Sequence, residues 1–163
     1  MALFGLANVK AAIDKSVDNV NNGLRAAYLD GLGRVIQETS TGLTQGELPN
    51  GVKSTSGQTR NNWFLSVGFP SSSTTTSKST GLSSVRQLSS MPKNVLGKKI
   101  YLTNNSDHIN MIEYGGYPKQ VGQGTRLSSG KYIKLSSGGF SIQAPKGMAR
   151  TNLLKIAKKV RTI

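Results

Sequence analysis

The chain has 163 residues, enough for one domain with extended segments. Its formal net charge is +14, from 21 Lys and Arg against 7 Asp and Glu, and because only 17% of residues are charged the excess reflects scarce acids. Cysteine is absent, which excludes a disulfide framework, a thiolate metal site and a catalytic cysteine.

Residues 6–38 predict a long N-terminal helix. Apolar residues recur at spacings of three and four, which places them on one stripe of a helix. The stripe consists of Leu6, Val9, Ile13, Val17, Val20, Leu24, Tyr28, Leu32 and Val35. The opposite face carries Lys10, Asp14, Lys15, Asp18, Asn21, Asn22 and Arg25. The stripe is expected to face the core, with contact to a neighbouring subunit as the alternative, and Gly31 and Gly33 predict a bend or break in the last turns.

The next part of the chain predicts a loop and then a strand. Residues 40–57 are rich in Gly, Thr, Asn and Pro, a composition typical of loops. Within residues 59–69, the alternation of Trp63, Leu65 and Val67 indicates a strand with one buried face. Trp63 is the only tryptophan and is expected to anchor the core.

A Ser- and Thr-rich segment follows at residues 70–97. Its first part, residues 70–90, is of low complexity and offers too few apolar side chains to order itself alone. We therefore expect a flexible loop or linker, with an arm that orders on assembly as the alternative. If the segment reaches adjacent copies, deletion of residues 72–89 is expected to impair assembly and leave the monomer folded.

The C-terminal half predicts a strand, a short helix, a hairpin and a final helix. Residues 98–103 form the strand, residues 108–114 the short helix, and the alternation within residues 117–142 indicates the hairpin. The final helix at 145–160 has an apolar side made of Met148, Leu153, Leu154, Ile156, Ala157 and Val160. The predicted fold is a single α+β domain. It comprises the long N-terminal helix, a small antiparallel sheet from residues 59–69 and 98–142, and the C-terminal helix packed on the sheet.

Neither catalysis nor metal or cofactor binding is expected. The single histidine, His108, has only Asp107 and Glu113 near it in sequence, too few groups for a triad or a zinc site. Gly-rich pairs such as Gly122-Gln-Gly124 lack the strand, helix and Gly-Lys-Ser/Thr context of a phosphate-binding loop. No apolar run approaches the roughly 20 residues of a membrane span, and residues 1–10 do not resemble a signal peptide. We expect a soluble, cytoplasmic protein with no membrane partner.

The basic character leaves nucleic-acid binding open. The sequence pI is about 10.3, and no acid follows Glu113. Candidate contacts to DNA or an acidic partner are Lys98, Lys99, Lys155, Lys158, Lys159 and Arg161. The aromatic residues do not interleave with these cations as in base-stacking platforms, so sequence-specific readout is not expected.

Three segments carry a resemblance to a known family. The first, Ile100–Gly115, reads as a strand ending in Asn-Asn, a short helix and then hydrophobic-Glu-Tyr-Gly. The second, Gly139-Phe-Ser-Ile-Gln-Ala-Pro-Lys-Gly-Met-Ala-Arg150, leads into a final helix, and the third is Thr59-Arg-Asn-Asn-Trp63. In order and spacing they resemble the neck or tail-completion proteins of tailed bacteriophages, a family of head–tail joining and tail-terminator components. Two departures are a longer insertion at residues 116–138 and the high net charge.

The resemblance implies structural roles for the matched residues. These are Trp63, Asn104, Asn105, Glu113, Tyr114, Gly115, Gln143, Pro145, Gly147, Met148 and Arg150. Gly115 and Gly147 would permit tight turns, Pro145 would fix the start of the last helix, and Asn104 and Asn105 would cap the turn after the strand. Glu113 would pair with Arg150, with a solvent-exposed Glu113 as the alternative.

The resemblance also implies a function. Several copies, most simply six, would form a ring in the virion neck between portal-side connector or adaptor proteins and the tail tube, with DNA crossing the lumen. Residues 70–97 and 116–138 would reach adjacent subunits or rings, and assembly would take place in the bacterial host cytoplasm. A basic, non-sequence-specific nucleic-acid-binding protein is the alternative, and an enzyme ranks last.

Overall fold

The computed structural model describes residues 3–39, 57–78, 82–115 and 144–163. Its elements are α1 (Leu3–Glu38), α2 (Gln58–Asn61), β1 (Trp63–Val67), α3 (Leu82–Gln87), a 3-10 turn (Leu88–Ser90), β2 (Ile100–Asn104), α4 (Ile109–Tyr114) and α5 (Ala149–Val160). The α+β class is confirmed. The predicted hairpin at 117–142, Gln143, the insertion at 116–138 and nearly all of the predicted loop at 40–57 lie outside the described residues.

The sheet has two antiparallel strands in the described part of the chain. Trp63 pairs with Asn104, Leu65 with Leu102 and Val67 with Ile100. Burial falls along β1, because Trp63 is 5% exposed, Leu65 is partly buried and Val67 is 46% exposed. The predicted buried face is therefore confirmed for the first residues of β1, whereas Val67 at its end is exposed.

Trp63 is a core anchor, as predicted, and it also joins the sheet to α1. Its indole Nε1–H donates to Thr39 Oγ1 at 2.7 Å, and that hydroxyl donates to Val35 O at 2.6 Å. Both Trp63 and Thr39 are buried, so this chain satisfies polar groups that burial would otherwise leave at a cost. One core cluster brings the helices and the sheet together: Leu32, Val35, Ile36, Trp63, Leu88, Met91, Val95, Ile112, Ala144, Met148 and Ile156.

The apolar stripe of α1 divides into a buried half and an exposed half. From Leu24 onward its residues are buried or packed against the core, as predicted. Residues 5–20 are exposed throughout, so the expectation that the whole stripe faces the core is wrong. The periodicity is the same in both halves, and among the elements that the structure describes, those that bury the stripe pack on its second half.

The break predicted as one alternative at Gly31 and Gly33 does not occur, since α1 continues to Glu38. Gly31 is where α5 crosses α1: a Cβ atom there would collide with the Ile156 side chain. The absence of a side chain lets the two helices approach closely. The propensity cost of about 1 kcal/mol for a helical glycine is thus offset by packing.

Two segments differ from their predicted structure. Residues 59–61, taken as part of a strand, belong to the single turn of α2, which begins after Gly57 in a left-handed conformation (φ 82°). The predicted arm at 70–97 includes α3 and the 3-10 turn, and its Leu88, Met91 and Val95 belong to the core. These three spaced apolar side chains supply the burial that the surrounding Ser-rich composition does not.

Two side chains on the polar face of α1 hold the segment after the 3-10 turn. Asn21 Nδ2 donates to Lys93 O at 2.8 Å, and Asn21 Oδ1 accepts from Val95 N–H at 2.8 Å. Arg25 Nε donates to Pro92 O at 3.0 Å. This face of α1 therefore carries tertiary contacts at its middle.

Candidate functional site

The two segments that carry the C-terminal resemblance meet at the start of α5. Met148 and Ala149 N–H donate to Glu113 Oε2 at 2.8 Å each, and Arg150 N–H donates to Oε1 at 2.8 Å. Glu113 lies at the end of α4 and is only 6% exposed. The predicted pairing of a buried Glu113 with Arg150 is confirmed, and the alternative of a solvent-exposed Glu113 is wrong.

The carboxylate supplies what α5 lacks in its own sequence. The first turn of α5 contains no acidic residue, and Met148 at its N-cap makes no side-chain cap hydrogen bond. A helix N-terminus presents unpaired N–H groups and a partial positive charge, both of which favour a carboxylate. Glu113 therefore caps α5 from 35 residues earlier in the chain.

Arg150 closes the arrangement, which we call the Glu113 junction (Glu113, Tyr114, Gly147, Met148 and Arg150). Its Nε donates to Glu113 Oε1 at 3.1 Å and its Nη2 donates to the Glu113 backbone O at 2.8 Å. The guanidinium also lies over the Tyr114 ring, 4.7 Å from its centroid. Because Tyr114 and the Arg150 side chain are 62% and 51% exposed, the junction presents this stacked pair to solvent.

The pKa of Glu113 reflects two opposed effects. Burial of the carboxyl raises its pKa, whereas hydrogen bonds from the backbone of Arg150, Met148 and Ala149 and from the Arg150 side chain lower it. The hydrogen bonds prevail and the pKa lies below its ordinary value. The junction therefore holds an ionised carboxylate.

Two glycines allow the turns around this junction, as predicted. Gly147 has φ 74°, and a Cβ there would collide with the Glu113 backbone oxygen. Gly115 ends α4 at φ 74° and ψ −154°, a conformation suited almost only to glycine, and its N–H donates to Met111 O at 2.9 Å. Pro145 lies in the turn before Gly147, and α5 itself begins at Ala149.

The two asparagines after β2 have different roles. Asn104 Oδ1 accepts from Ser106 N–H at 3.0 Å, which caps the turn as predicted. Asn105 was expected to do the same, but its Nδ2 donates to Ser71 O and Ser73 O at 2.9 Å each. Asn105 instead holds the polar segment that follows β1.

Three buried or partly buried polar side chains were missed from the sequence. Arg60 Nε donates to Thr39 O at 2.9 Å and its Nη2 to Gln37 O at 2.8 Å, so a cation caps the C-terminus of α1. Burial lowers the pKa of Arg60.

The other two are asparagines. Asn62 pairs with both the N–H and the O of Thr75, at 2.9 and 2.8 Å. Asn152 Nδ2 donates to Glu38 Oε2 at 2.6 Å. The Thr59–Trp63 motif contains Arg60 and Asn62 but did not predict their roles, and no motif contains Asn152, because backbone and distant side-chain partners leave no local pattern.

The predicted basic contacts fall on two elements and do not form one cluster in the described contacts. Lys98 and Lys99 are exposed in the turn before β2. On α5, Lys155 pairs with Glu38 and Lys159 with Asp30, both at 3.6 Å, so these two cations face α1. Lys158 and Arg161 are exposed and make no ion pair within the described residues.

No further chemistry is visible in residues 3–39, 57–78, 82–115 and 144–163. These ranges contain no group of three or more His, Cys, Asp or Glu side chains placed to hold a metal ion. They also contain no helix long and apolar enough to cross a bilayer. His108 is exposed at the start of α4 and makes no side-chain cap. Comparison of the chain with models of known families, with curated proteins and with solved structures finds no match.

Proposed function

We propose that this chain is a structural virion protein of the bacteriophage neck. Several copies form a ring that joins the head connector to the tail and lets DNA pass through its lumen. The observation that supports this proposal is the Glu113 junction, because three of the residues that carry the family resemblance, Glu113, Met148 and Arg150, bond to one another there. A docking protein needs such a rigid connection between segments distant in sequence.

The exposed part of the junction supplies a contact surface. Tyr114 and Arg150 form a stacked aromatic and cationic pair, and both residue types are enriched where protein interfaces carry most of their binding energy. Their position is fixed by the buried Glu113 carboxylate. We infer that this pair contacts a connector or tail component or an adjacent copy.

Three measurements test the proposal. Electron microscopy of virion necks should show a closed ring of this chain, and an antibody to the chain should label virions at the head–tail junction. Tyr114→Ala should leave the monomer folded and reduce incorporation into particles, whereas Thr162→Ala, at an exposed residue beyond α5, should do neither. Label on the capsid shell or the tail tip, or no label on virions, would refute the neck assignment.

The alternative function is non-specific nucleic-acid binding, and the exposed cations Lys98, Lys99, Lys158 and Arg161 favour it. It predicts tight binding to a random-sequence DNA duplex, with a logarithmic affinity that falls steeply against the logarithm of salt concentration. The neck proposal predicts weak binding at physiological salt. Titration of the duplex at several salt concentrations separates the two.

A further inference from the structure

The exposed half of the α1 stripe is an apolar surface on which no element of the described residues packs. Its five residues are Leu6 (70% exposed), Val9 (56%), Ile13 (56%), Val17 (47%) and Val20 (39%). Together they expose on the order of a few hundred Å², the size of the largest apolar patch on a typical monomer. Such a patch usually marks a contact with another molecule.

The order of these residues is symmetric about Ile13. Leu6 and Val20 each lie seven residues from it, and Val9 and Val17 each lie four. Two copies of α1 placed antiparallel, with a two-fold axis at Ile13, therefore set Leu6 against Val20 and Val9 against Val17. Ile13 then faces the same residue of the second copy. An isologous two-fold contact requires this kind of self-complementarity.

The two flanks of the stripe fit the same arrangement. At about 100° per residue, Lys10 and Asp14 lie along one side of the stripe, and Ala12 and Ser16 lie along the other. A two-fold axis brings like flanks together in reverse order. Lys10 lies three residues before Ile13 and Asp14 one residue after it. Lys10 of one copy therefore comes beside Asp14 of the second copy, within about 3 Å along the helix axis.

The small-residue flank permits close approach. Ala12 adds little bulk, and Ser16 Oγ already donates to Ala12 O at 2.9 Å within its own helix. Burial of Ser16 at a contact therefore leaves no hydroxyl donor without a partner. The charged flank therefore favours the antiparallel orientation of the two helices, and the small residues on the other flank let the helices approach closely.

Charge also favours a second copy over other positions of contact. Residues 5–22 carry Lys10 and Lys15 against Asp14 and Asp18, and are neutral, so the net charge of +14 lies outside them. A contact between two copies along this stretch therefore brings no excess of like charge together.

We propose that a second copy of this chain binds antiparallel along the exposed half of α1 and forms a two-fold dimer. With flanking residues included, the two helices bury on the order of 1,000 Å², the lower limit for a specific interface, so the dimer is concentration-dependent. The dimer does not rest on the neck proposal, because closed rings use head-to-tail contacts through other surfaces.

Cysteine substitution tests the geometry, since the chain has no cysteine of its own. Ile13→Cys should form a disulfide-linked dimer on mild oxidation. Leu6→Cys alone should not, whereas an equimolar mixture of Leu6→Cys and Val20→Cys chains should. A parallel pair would instead link Leu6→Cys chains to one another, and the mixture would then contain little of the mixed disulfide between positions 6 and 20. That result would overturn the proposal.

Sedimentation equilibrium of the full chain tests the association itself. Ile13→Asp places two like charges together at the axis and should raise the dimer dissociation constant by at least about 30-fold. Ala11→Asp adds the same charge on the opposite face of α1 and should leave it within about 3-fold. A wild-type chain that stays monomeric while α1 is helical, as for a surface reserved for a different protein, would also overturn the proposal.

Discussion

Glu113 caps a helix that begins 36 residues beyond it. The carboxylate is buried, accepts three backbone N–H groups and pairs with Arg150, so its removal leaves several polar groups unsatisfied at once. A truncation that leaves buried polar groups without partners lowers the free energy of unfolding by more than the net contribution of the hydrogen bonds themselves. The stability of the start of α5 therefore depends on one side chain in another segment.

The Glu113 carboxyl should make the stability of the wild-type chain pH-dependent, and its substitution should remove that dependence. Because the folded pKa lies below the ordinary value, ionised Glu113 stabilises the fold fully above about pH 4.5, the pKa of the unfolded state. That stabilisation is lost as the pH falls through the folded pKa. Glu113→Gln should cost about 2 kcal/mol at pH 7, and the gap to wild type should narrow at pH 3. Urea unfolding followed by circular dichroism measures both values.

The matched control for this experiment is Asp107→Asn. Asp107 is an exposed carboxyl just before α4, so its loss should cost less than about 1 kcal/mol at either pH. A gap between wild type and Glu113→Gln that stays constant from pH 7 to pH 3 would contradict the assignment of the low pKa to Glu113.

Alanine substitution at two glycines with positive φ distinguishes the cost of backbone strain from the cost of a steric collision. Gly97→Ala, at φ 69° with no atom within 4 Å of the added Cβ, should cost about 1–2 kcal/mol from conformation alone. Gly147→Ala has a similar φ and adds a collision with the Glu113 backbone oxygen, so it should cost about 3 kcal/mol or more. Thermal unfolding compares them, and equal losses would show that the junction yields without cost.

At the scale of elements, the contact between α1 and α5 depends on Gly31. Gly31→Ala forces the Ile156 side chain away and should destabilise by about 1–3 kcal/mol, despite the better helix propensity of alanine. Gly33→Ala, two residues on, places its Cβ 3.6 Å from Leu88 Cδ1, an ordinary contact. It should stabilise by about 0.5–1 kcal/mol, again by urea unfolding. A stabilising Gly31→Ala would contradict the close crossing.

A local sequence pattern predicted those elements that have a strong apolar repeat or that end at a glycine. The apolar repeat predicted α1, and Gly115 marked the end of α4. Which half of α1 is buried could not be predicted, because both halves carry the same repeat and burial depends on distant segments. Residues 82–95 were mistaken for an arm because their Ser-rich composition conceals widely spaced anchors such as Leu88.

Some residues of the candidate site could likewise be predicted from the sequence, and others could not. The resemblance placed Glu113 with Arg150, a pairing that no spacing rule gives for residues 37 apart. The roles of Arg60 and Asn62 were not predicted, since each acts on the backbone of a segment remote in sequence. Partners of this kind are set by the tertiary structure.

At the scale of the whole molecule, the segment between the strands is part of the folded body. Deletion of residues 72–89, expected from sequence to spare the monomer, removes buried Leu88 and the Thr75 backbone that pairs with Asn62. Loss of a buried Leu side chain alone costs about 2–5 kcal/mol, a large part of a typical domain's stability. The deletion should abolish cooperative unfolding, measured by calorimetry.

The control for that deletion is a variant that keeps the full length of the segment and changes only exposed side chains. Replacement of exposed Ser72, Thr74 and Thr76 by alanine keeps the backbone that Asn62 and Asn105 bind, and should leave the melting temperature nearly unchanged. A deletion variant that melts like the wild type would restore the view of the segment as a dispensable arm.

The hydrogen bond between Trp63 and Thr39 has an optical consequence. Trp63 is the only tryptophan, it is buried, and its indole N–H has a protein partner, so its emission should lie to the blue of a solvated indole. Thr39 lies just beyond the C-terminal end of α1, about 39 Å along the helix from Ile13. Pairing at Ile13 should therefore leave the emission spectrum unaltered, and the fluorescence of a single sample reports folding separately from association.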